Sequence, residues 1–401
     1  MKPTALIKQT TTTAAIVFAA RWPDVPWRES RAKIVWLVLS VLMLHTANTA
    51  WAGNTVTAWG YNYFGQTNVP AGLTNVVAIA AGDDSCLALL DNGLVTMWGN
   101  FPSTGTLSNA VAVAGGGLFG LALRADGTVA ASGIYYNGSG FPPMMVPTGL
   151  SNVVSIAAGH DHGLALCAGG AVVAWGNNVY GQANVPPGLS NVVMVAGGFG
   201  HSLALRADRT VVAWGNGAQG ETNVPVGLTN AIGIAAGYDD NLALRADGTV
   251  VAWGSNIDGQ PNAPAGLTNV VAIASGGYHY LGLRVDGTVV AWGLNDYGDG
   301  TIPHGLSNVV AIAAGYWHSL ALVGSGPLIT QASLANPFRS NANFSVSLPT
   351  QNGRVYGLEF KNSLSDDSWT PLPLVAGNGN SRTLTDSTAT NTQRFYRVRW
   401  W

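Results

Sequence analysis

The sequence predicts an all-β fold, a seven-bladed β-propeller followed by a small β-sandwich-like C-terminal module. Three observations carry this. One unit recurs seven times between Asn54 and Val323. Each unit holds three short runs rich in Val, Ile, Leu and Trp, bounded by Gly, Asn and Asp, as strands are. The array begins with a lone third run, Thr55 to Gly60, and stops after a lone first and second run, Val309 to Val323. Pairing these ends would complete the last blade and close a ring.

Composition agrees. Of 401 residues only 9% are charged, 47% are hydrophobic and 52 are Gly. Disorder would need high net charge and few aromatics, whereas 14 Trp, 12 Tyr and 10 Phe supply a large core. The net charge of -2 hides a split. Residues 1 to 52 carry six basic and two acidic groups, residues 53 to 326 five and fourteen, and residues 327 to 401 seven and four. The central segment has no Lys, and its bases are Arg124, Arg206, Arg209, Arg245 and Arg284. Nucleic-acid binding rests on phosphate neutralisation by Lys and Arg, so nucleic acid is not an expected partner.

Residues 1 to 52 read as an export signal with a long basic region. Arg28, Arg31 and Lys33 precede the apolar run Ile34 to Leu44, and Ala50-Trp51-Ala52 offers a cleavage site. The run is too short to span a bilayer, so the mature chain is expected to be secreted or held in the cell envelope without a membrane span.

The repeats occupy residues 53 to 323. With variations, each reads VVAIAAG, two variable residues, HSLALRADGTVVAWG, an Asn-containing loop, GQxNVP and GLTN. Trp175, Trp214, Trp253 and Trp292 recur every 39 residues. The second repeat is shortened after Phe101 and has Ser132 in place of Trp, and Ile134 to Val146 restores the phase. Asn92-Gly93, Asp126-Gly127, Asp247-Gly248 and Asp286-Gly287 favour the positive-φ positions of tight turns between the second and third strands. A small sheet that is apolar on both faces is stable only between like neighbours, which a ring of blades provides. Gly324 to Pro327 reads as a linker, and residues 328 to 401 as the separate β-rich module, with alternation in Phe344 to Leu348, Val355 to Phe360 and Phe395 to Trp401. Cys86 and Cys167 fall at non-equivalent positions of non-adjacent repeats, which predicts two free, largely buried thiols.

The AGxxHSLAL, DGTVVAWG and GQ motifs resemble the repeats of the regulator of chromosome condensation family, a seven-bladed propeller. The 39-residue unit with NVP after the GQ loop is more similar to the family's secreted bacterial branch, which includes a propeller-type β-lactamase inhibitory protein. Nuclear members exchange guanine nucleotide on a small GTPase. An export signal and an acidic, Lys-free ring argue against carrying that activity over.

Recurrence separates scaffold from site. Trp59, Trp98, Trp175, Trp214, Trp253 and Trp292 are expected to pack between blades. His162, His201, His279 and His318 precede the second run on separate blades, which points to a recurring hydrogen bond rather than to zinc sites. Asp258, Asp296 and Asp299 lack the ligand order of a calcium loop. No motif implies a cofactor or a metal. The informative positions are the two residues after AAG, which vary while the scaffold stays fixed: Asp83-Asp84, Gly117-Leu118, His160-Asp161, Phe199-Gly200, Tyr238-Asp239, Gly277-Tyr278 and Tyr316-Trp317. Ring geometry gathers them on one face. By resemblance to the inhibitor, whose corresponding loops present aromatics, Phe199, Tyr238, Tyr278, Tyr316 and Trp317 are the expected partner-binding residues, with Asp84, Asp161 and Asp239 beside them. The expected function is therefore binding of a protein, less readily a glycan, by a monomer that is not an enzyme. Two alternatives remain. The acidic residues Asp83, Asp84, Asp161, Asp239 and Asp240 invite a hydrolase with paired carboxylates, and the chain could be a structural component of a surface assembly.

Overall fold

A computed structural model describes residues 18–19, 53–102, 105–255, 262–324, 335–340, 343–350, 355–363, 366, 369–376, 381–389 and 394–400. Every element of regular structure among them is a β-strand. Apart from Phe18–Ala19, the expected export signal lies outside the described residues, as do Asp258 and the linker beyond Gly324.

Seven three-stranded antiparallel sheets form the propeller. In the first blade Val76–Ala81, Ser85–Leu90 and Val95–Gly99 follow one another outward, and the same order repeats through the sixth. The first strands face one another around the axis, and Val309–Ala314 of the last blade lies against Val76–Ala81 of the first, so the ring is closed. The seventh blade is completed as the chain ends predict. Thr55–Gly60 pairs antiparallel with His318–Val323, from Thr55 opposite Val323 to Gly60 opposite His318.

Burial follows from this stacking. Each middle strand is covered by its own sheet neighbours and by the adjacent blades, and its first five residues are buried in all seven blades. The recurrent Trp side chains are buried between blades. Trp59, Trp98, Trp214 and Trp253 donate Nε1–H to the backbone carbonyl of the GQ-position residue in the preceding loop, namely Asp299, Gln66, Gln182 and Glu221, at 2.8 to 3.0 Å. In the irregular second blade Ser132 supplies the corresponding donor, its hydroxyl reaching the Gly105 carbonyl at 2.8 Å.

The turns between second and third strands differ in detail from the sequence expectation. Only the Gly takes positive φ, as at Gly127 (78°) and Gly248 (79°). The preceding Asp instead accepts from the backbone amide and hydroxyl of the Thr two residues on, as Asp126 does from Thr128. These are three-residue loops with a left-handed Gly, rather than two-residue turns. In the fourth blade Arg209 occupies the Gly position at φ 70°. Cys86 is fully buried, whereas Cys167, at the end of its strand, is partly exposed; both are free. The expectation of two buried thiols therefore holds for Cys86 alone.

The C-terminal module is a two-sheet sandwich. Ala335–Ser340, Asn343–Pro349 and Ser381–Asp386 form one sheet. Val355–Lys361 and Phe395–Trp400 centre the other, with Phe18–Ala19 beside Phe395–Trp400. Phe344, Val346, Leu358, Leu384 and Val398 fill the space between them. The Leu374 amide donates to the Ala125 carbonyl at 2.9 Å. Ala125 belongs to a turn between second and third strands, so the module meets the propeller at the end opposite the variable loops.

Candidate functional site at the loop face

The two variable residues of each blade form the tip of a tight hairpin between its first and second strands, closed for example by Gly82 N–H to the Ser85 carbonyl at 2.8 Å. Every tip is pinned within its own blade, and those of the third to the seventh blade are pinned a second time. The first pin comes from the third strand of the same blade, where the residue after Trp-Gly donates its amide to the carbonyl of the second tip residue. Tyr61 reaches Trp317, Asn100 reaches Asp84, Ile134 reaches Leu118, Asn177 reaches Asp161, Asn216 reaches Gly200, Ser255 reaches Asp239 and Leu294 reaches Tyr278, at 2.8 to 3.0 Å. The Gly before that amide must be Gly, because it sits at φ of 86° to 110° in the seven blades and a Cβ on Gly60, for instance, would lie 2.6 Å from the Trp317 carbonyl oxygen.

The second pin joins blades. His162, His201, His279 and His318 are fully buried, and Nε2 of each meets a side chain of the next blade: Ser202 at 2.9 Å, Asn241 at 2.7 Å, Ser319 at 2.8 Å and Cys86 at 3.1 Å. Ser202, Asn241 and Ser319 in turn donate to the GQ-position carbonyls of Gln182, Glu221 and Asp299, each at 2.9 Å. The hydrogen bond expected of these histidines is thus an interblade staple. Burial holds His162 and His318 down at about 3 and His201 at about 4, so all three are neutral. In the fifth blade Asp240 takes the His place and meets the Tyr280 hydroxyl of the sixth, with Ser275 Oγ at 3.2 Å. Burial pushes Asp240 up to about 7 against the pull of these two hydrogen bonds.

On this scaffold the five predicted aromatics meet. Phe199 and Tyr238 have centroids 4.1 Å apart, Tyr238 and Tyr278 5.7 Å, Tyr278 and Trp317 5.3 Å, and Tyr316 and Trp317 4.7 Å. Tyr316 also reaches Tyr238 at 5.2 Å by lying over Gly277, where a Cβ would stand 2.5 Å from the Tyr316 carbonyl oxygen. His160 extends the series at one end, 4.6 Å from Phe199. At the other end Tyr297 meets Trp317 at 5.1 Å with the rings tilted, followed by Tyr61 at 5.0 Å, Tyr63 at 6.3 Å and Phe64 at 4.9 Å. One continuous run of rings crosses the face from His160 to Phe64. Its inner members are half-buried, while Tyr63, Phe64 and Tyr297 are exposed. Sequence reasoning missed the outer members. Their signal was an aromatic directly before the Gly of the GQ loop, as in Tyr-Phe-Gly-Gln at 63–66 and Asp-Tyr-Gly-Asp at 296–299.

The acidic candidates are not equivalent. Asp161 is buried and committed: its Oδ1 accepts from the Tyr136 amide at 2.7 Å and its Oδ2 lies 2.6 Å from His160 Nδ1. Asp83 Oδ2 stands 2.7 Å from His160 Nε2 on the other side. Burial opposes a charge on His160, but the hydrogen bonds to Asp161 and Asp83 raise it to about 10, so it is an imidazolium between two carboxylates. Asp84 accepts from Gln66 Nε2 at 3.0 Å, and burial followed by the Asp83 charge raises its pKa. Asp239 is partly exposed, with its pKa raised by burial and then by Glu221. A cavity of about 100 Å³ opens on the axis between the tips, bounded by Asp83, His160, Phe199, Tyr238 and Tyr316 above a collar of Gly and Ala backbone. Among the described residues no three His, Cys, Asp or Glu side chains are grouped to hold a metal.

Pinned hairpin tips, interblade staples and a GQ carbonyl that receives the next Trp recur around the ring, and these are repeat features. Five segments match the Regulator of chromosome condensation (RCC1) repeat. They are residues 76–102, 153–182, 192–221, 231–260 and 270–299. The second blade, with its missing Trp, and the seventh, split between the chain ends, fall outside the matches. Among solved structures, Prp20p from Saccharomyces cerevisiae is similar at 18% identity and a TM-score of 0.59, over 69% of this chain and 93% of that one. Yeast RCC1 (Prp20) bound to Kap60 is similar at 18% and 0.58, over 75% and 97%. Human WBSCR16 is similar at 18% and 0.54, over 68% and 99%. At these identities the likeness is one of fold, an RCC1-type propeller. No curated protein sequence matches the chain.

Proposed function

We propose that the chain is an exported binding module whose loop face engages a protein partner, in the manner of an inhibitor rather than of an enzyme. The observation that carries this is the unbroken run of aromatic rings from His160 to Phe64, held on tips that the hydrogen bonds above keep in place. Rigid, half-exposed aromatics are the side chains that dominate binding energy in protein interfaces, because they cover large areas with little entropy to lose. Protein binding is also what the names of two similar propellers describe, one in complex with Kap60 and one tested with Gsp1p and histones. The acidic side chains suit catalysis poorly: Asp161, Asp83 and Asp84 hold neighbouring groups, and Asp240 is closed off against Tyr280. Inhibition of a secreted enzyme such as a β-lactamase is one specific form of the reading.

The test is retention of a partner from secreted and envelope extracts by the purified mature protein, followed by affinities of the Trp317→Ala and Tyr278→Ala variants for that partner. A hot-spot aromatic should cost at least about 2 kcal/mol, roughly thirtyfold in Kd. Unchanged affinity in both variants would remove this face from the reading.

A further inference from the structure

The charges of the propeller are sorted by height. Arg124, Arg206, Arg245 and Arg284 each end a second strand, and Arg209 lies in the turn that follows one, so all five arginines stand at the end away from the aromatic face. There they are matched by five acids of the same turns: Asp91, Asp126, Asp208, Asp247 and Asp286. The remaining described acids belong to the loop end, where Asp83, Asp84, Asp239 and Asp296 are at least partly exposed. The net negative charge of the repeats therefore falls on the face that carries the rings.

At its centre lies the axial cavity. Its volume of about 100 Å³ is far below the roughly 300 to 1,000 Å³ of sites for small organic ligands, and suits one side chain. Its wall combines Asp83 with Phe199, Tyr238 and Tyr316. The Asp83 charge is felt at both Tyr238 and Tyr316. Asp83 gives Oδ2 to His160, and together with Asp161 that group of three carries one net negative charge. A carboxylate beside several ring faces attracts a cation by both its charge and the ring quadrupoles; the His160 imidazolium shares this wall, but both its nitrogens are taken by Asp83 and Asp161, so the lining stays net negative.

We infer that the axial cavity receives a Lys or Arg side chain of a basic protein partner, seated between Asp83 and the rings of Phe199, Tyr238 and Tyr316. This rests on the protein-binding reading and names the chemistry of the partner at its centre. Surrounding acids steer the basic surface inward, and the outer rings, Trp317, Tyr297 and Tyr63, cover the partner around the anchor.

The probes are blocked pentapeptides with glycine flanks and a central Lys, Arg, norleucine or Glu, titrated into the full-length mature protein. NMR of labelled Tyr and Phe side chains, which reads millimolar affinities, reports binding. Lys and Arg peptides should shift Tyr238, Tyr316 and Phe199 saturably, with affinity that falls as salt rises. Norleucine, which keeps the four-carbon stem of Lys without the ammonium, should bind at least tenfold more weakly, as should the Lys peptide to Asp83→Asn. The norleucine comparison uses the unaltered protein, so it stands if Asp83→Asn fails to fold. Equal binding of Lys and norleucine peptides, or no saturable shift with either cationic peptide, overturns the inference. If the retained partner still depends on Trp317 in that case, only the cationic anchor fails; if it does not, the protein-binding reading fails with it.

Discussion

His160 makes stability depend on pH in a direction set by its two carboxylates. Its side chain is 27% exposed and lies 2.7 Å from Asp83 and 2.6 Å from Asp161. Burial opposes the charge, the two hydrogen bonds favour it, and together they carry the group from 6.5 to about 10. A raised folded-state value means that the stabilisation is complete below the unfolded value of 6.5 and is lost as pH rises through about 10. The full interval corresponds to about 5 kcal/mol at 1.36 kcal/mol per pH unit, and residual solvent contact reduces this to roughly 2 to 3 kcal/mol. The perturbation is His160→Gln, which keeps a hydrogen-bonding side chain but has no proton to lose. Urea unfolding of both proteins from pH 6 to 10.5 measures the effect, because Asp240 and every other titrating group is common to the two and cancels in the difference. The wild-type protein should exceed the variant most at pH 6, and the gap should shrink by roughly 2 to 3 kcal/mol by pH 10.5. Parallel profiles, or an imidazole that NMR shows neutral at pH 8, would refute the paired imidazolium.

Three further outcomes follow from individual residues. Asp240 is raised from 3.8 to about 7, so its contribution is present below 3.8 and lost as pH climbs to about 7; Asp240→Asn should gain on the wild type by on the order of 3 kcal/mol between pH 4 and 8 in thermal unfolding. Gly198→Ala would place a Cβ 2.2 Å from Cε1 of the buried His201, and denaturant unfolding should show a loss of about 3 kcal/mol. Arg209→Gly should stabilise by about 1 kcal/mol in the same assay, because it relieves a left-handed Arg at φ 70° where the corresponding turns carry Gly93, Gly127, Gly170, Gly248 and Gly287.

The fold was legible because the unit repeats. Strand runs recur seven times, the Trp six times and the turn Gly five times, each reinforcing the others, and the split seventh blade could be read from the chain ends. The position of the face was legible for the same reason, since variable residues at one fixed place in a repeat must share one end of a ring. What could not be read was how side chains meet across blades. That Tyr316 lies over Gly277 to reach Tyr238, or that Asp161 is spent on His160 and the Tyr136 amide, depends on neighbours set by blade spacing and not by sequence distance. The recurring His was correctly assigned to scaffold, but its partner lay 40 residues on in the next blade. Tyr297 and Phe64 went unnoticed because the position before the Gly of the GQ loop is aromatic in only some repeats, being Gln219 in the fourth blade and Asp258 in the fifth, so no uniform column draws the eye.

The pairing of Thr55–Gly60 with His318–Val323 also governs how the chain reaches this state. A polypeptide made from its N-terminus must hold that first strand without a partner until nearly the whole ring has been synthesised, and the closure spans about as long a loop as the domain contains. Such non-local pairing slows folding. Once made, it denies unfolding the easy route of peeling from an end, because the seventh blade takes its strands from both ends of the chain. That asymmetry favours a ring that assembles slowly and opens rarely.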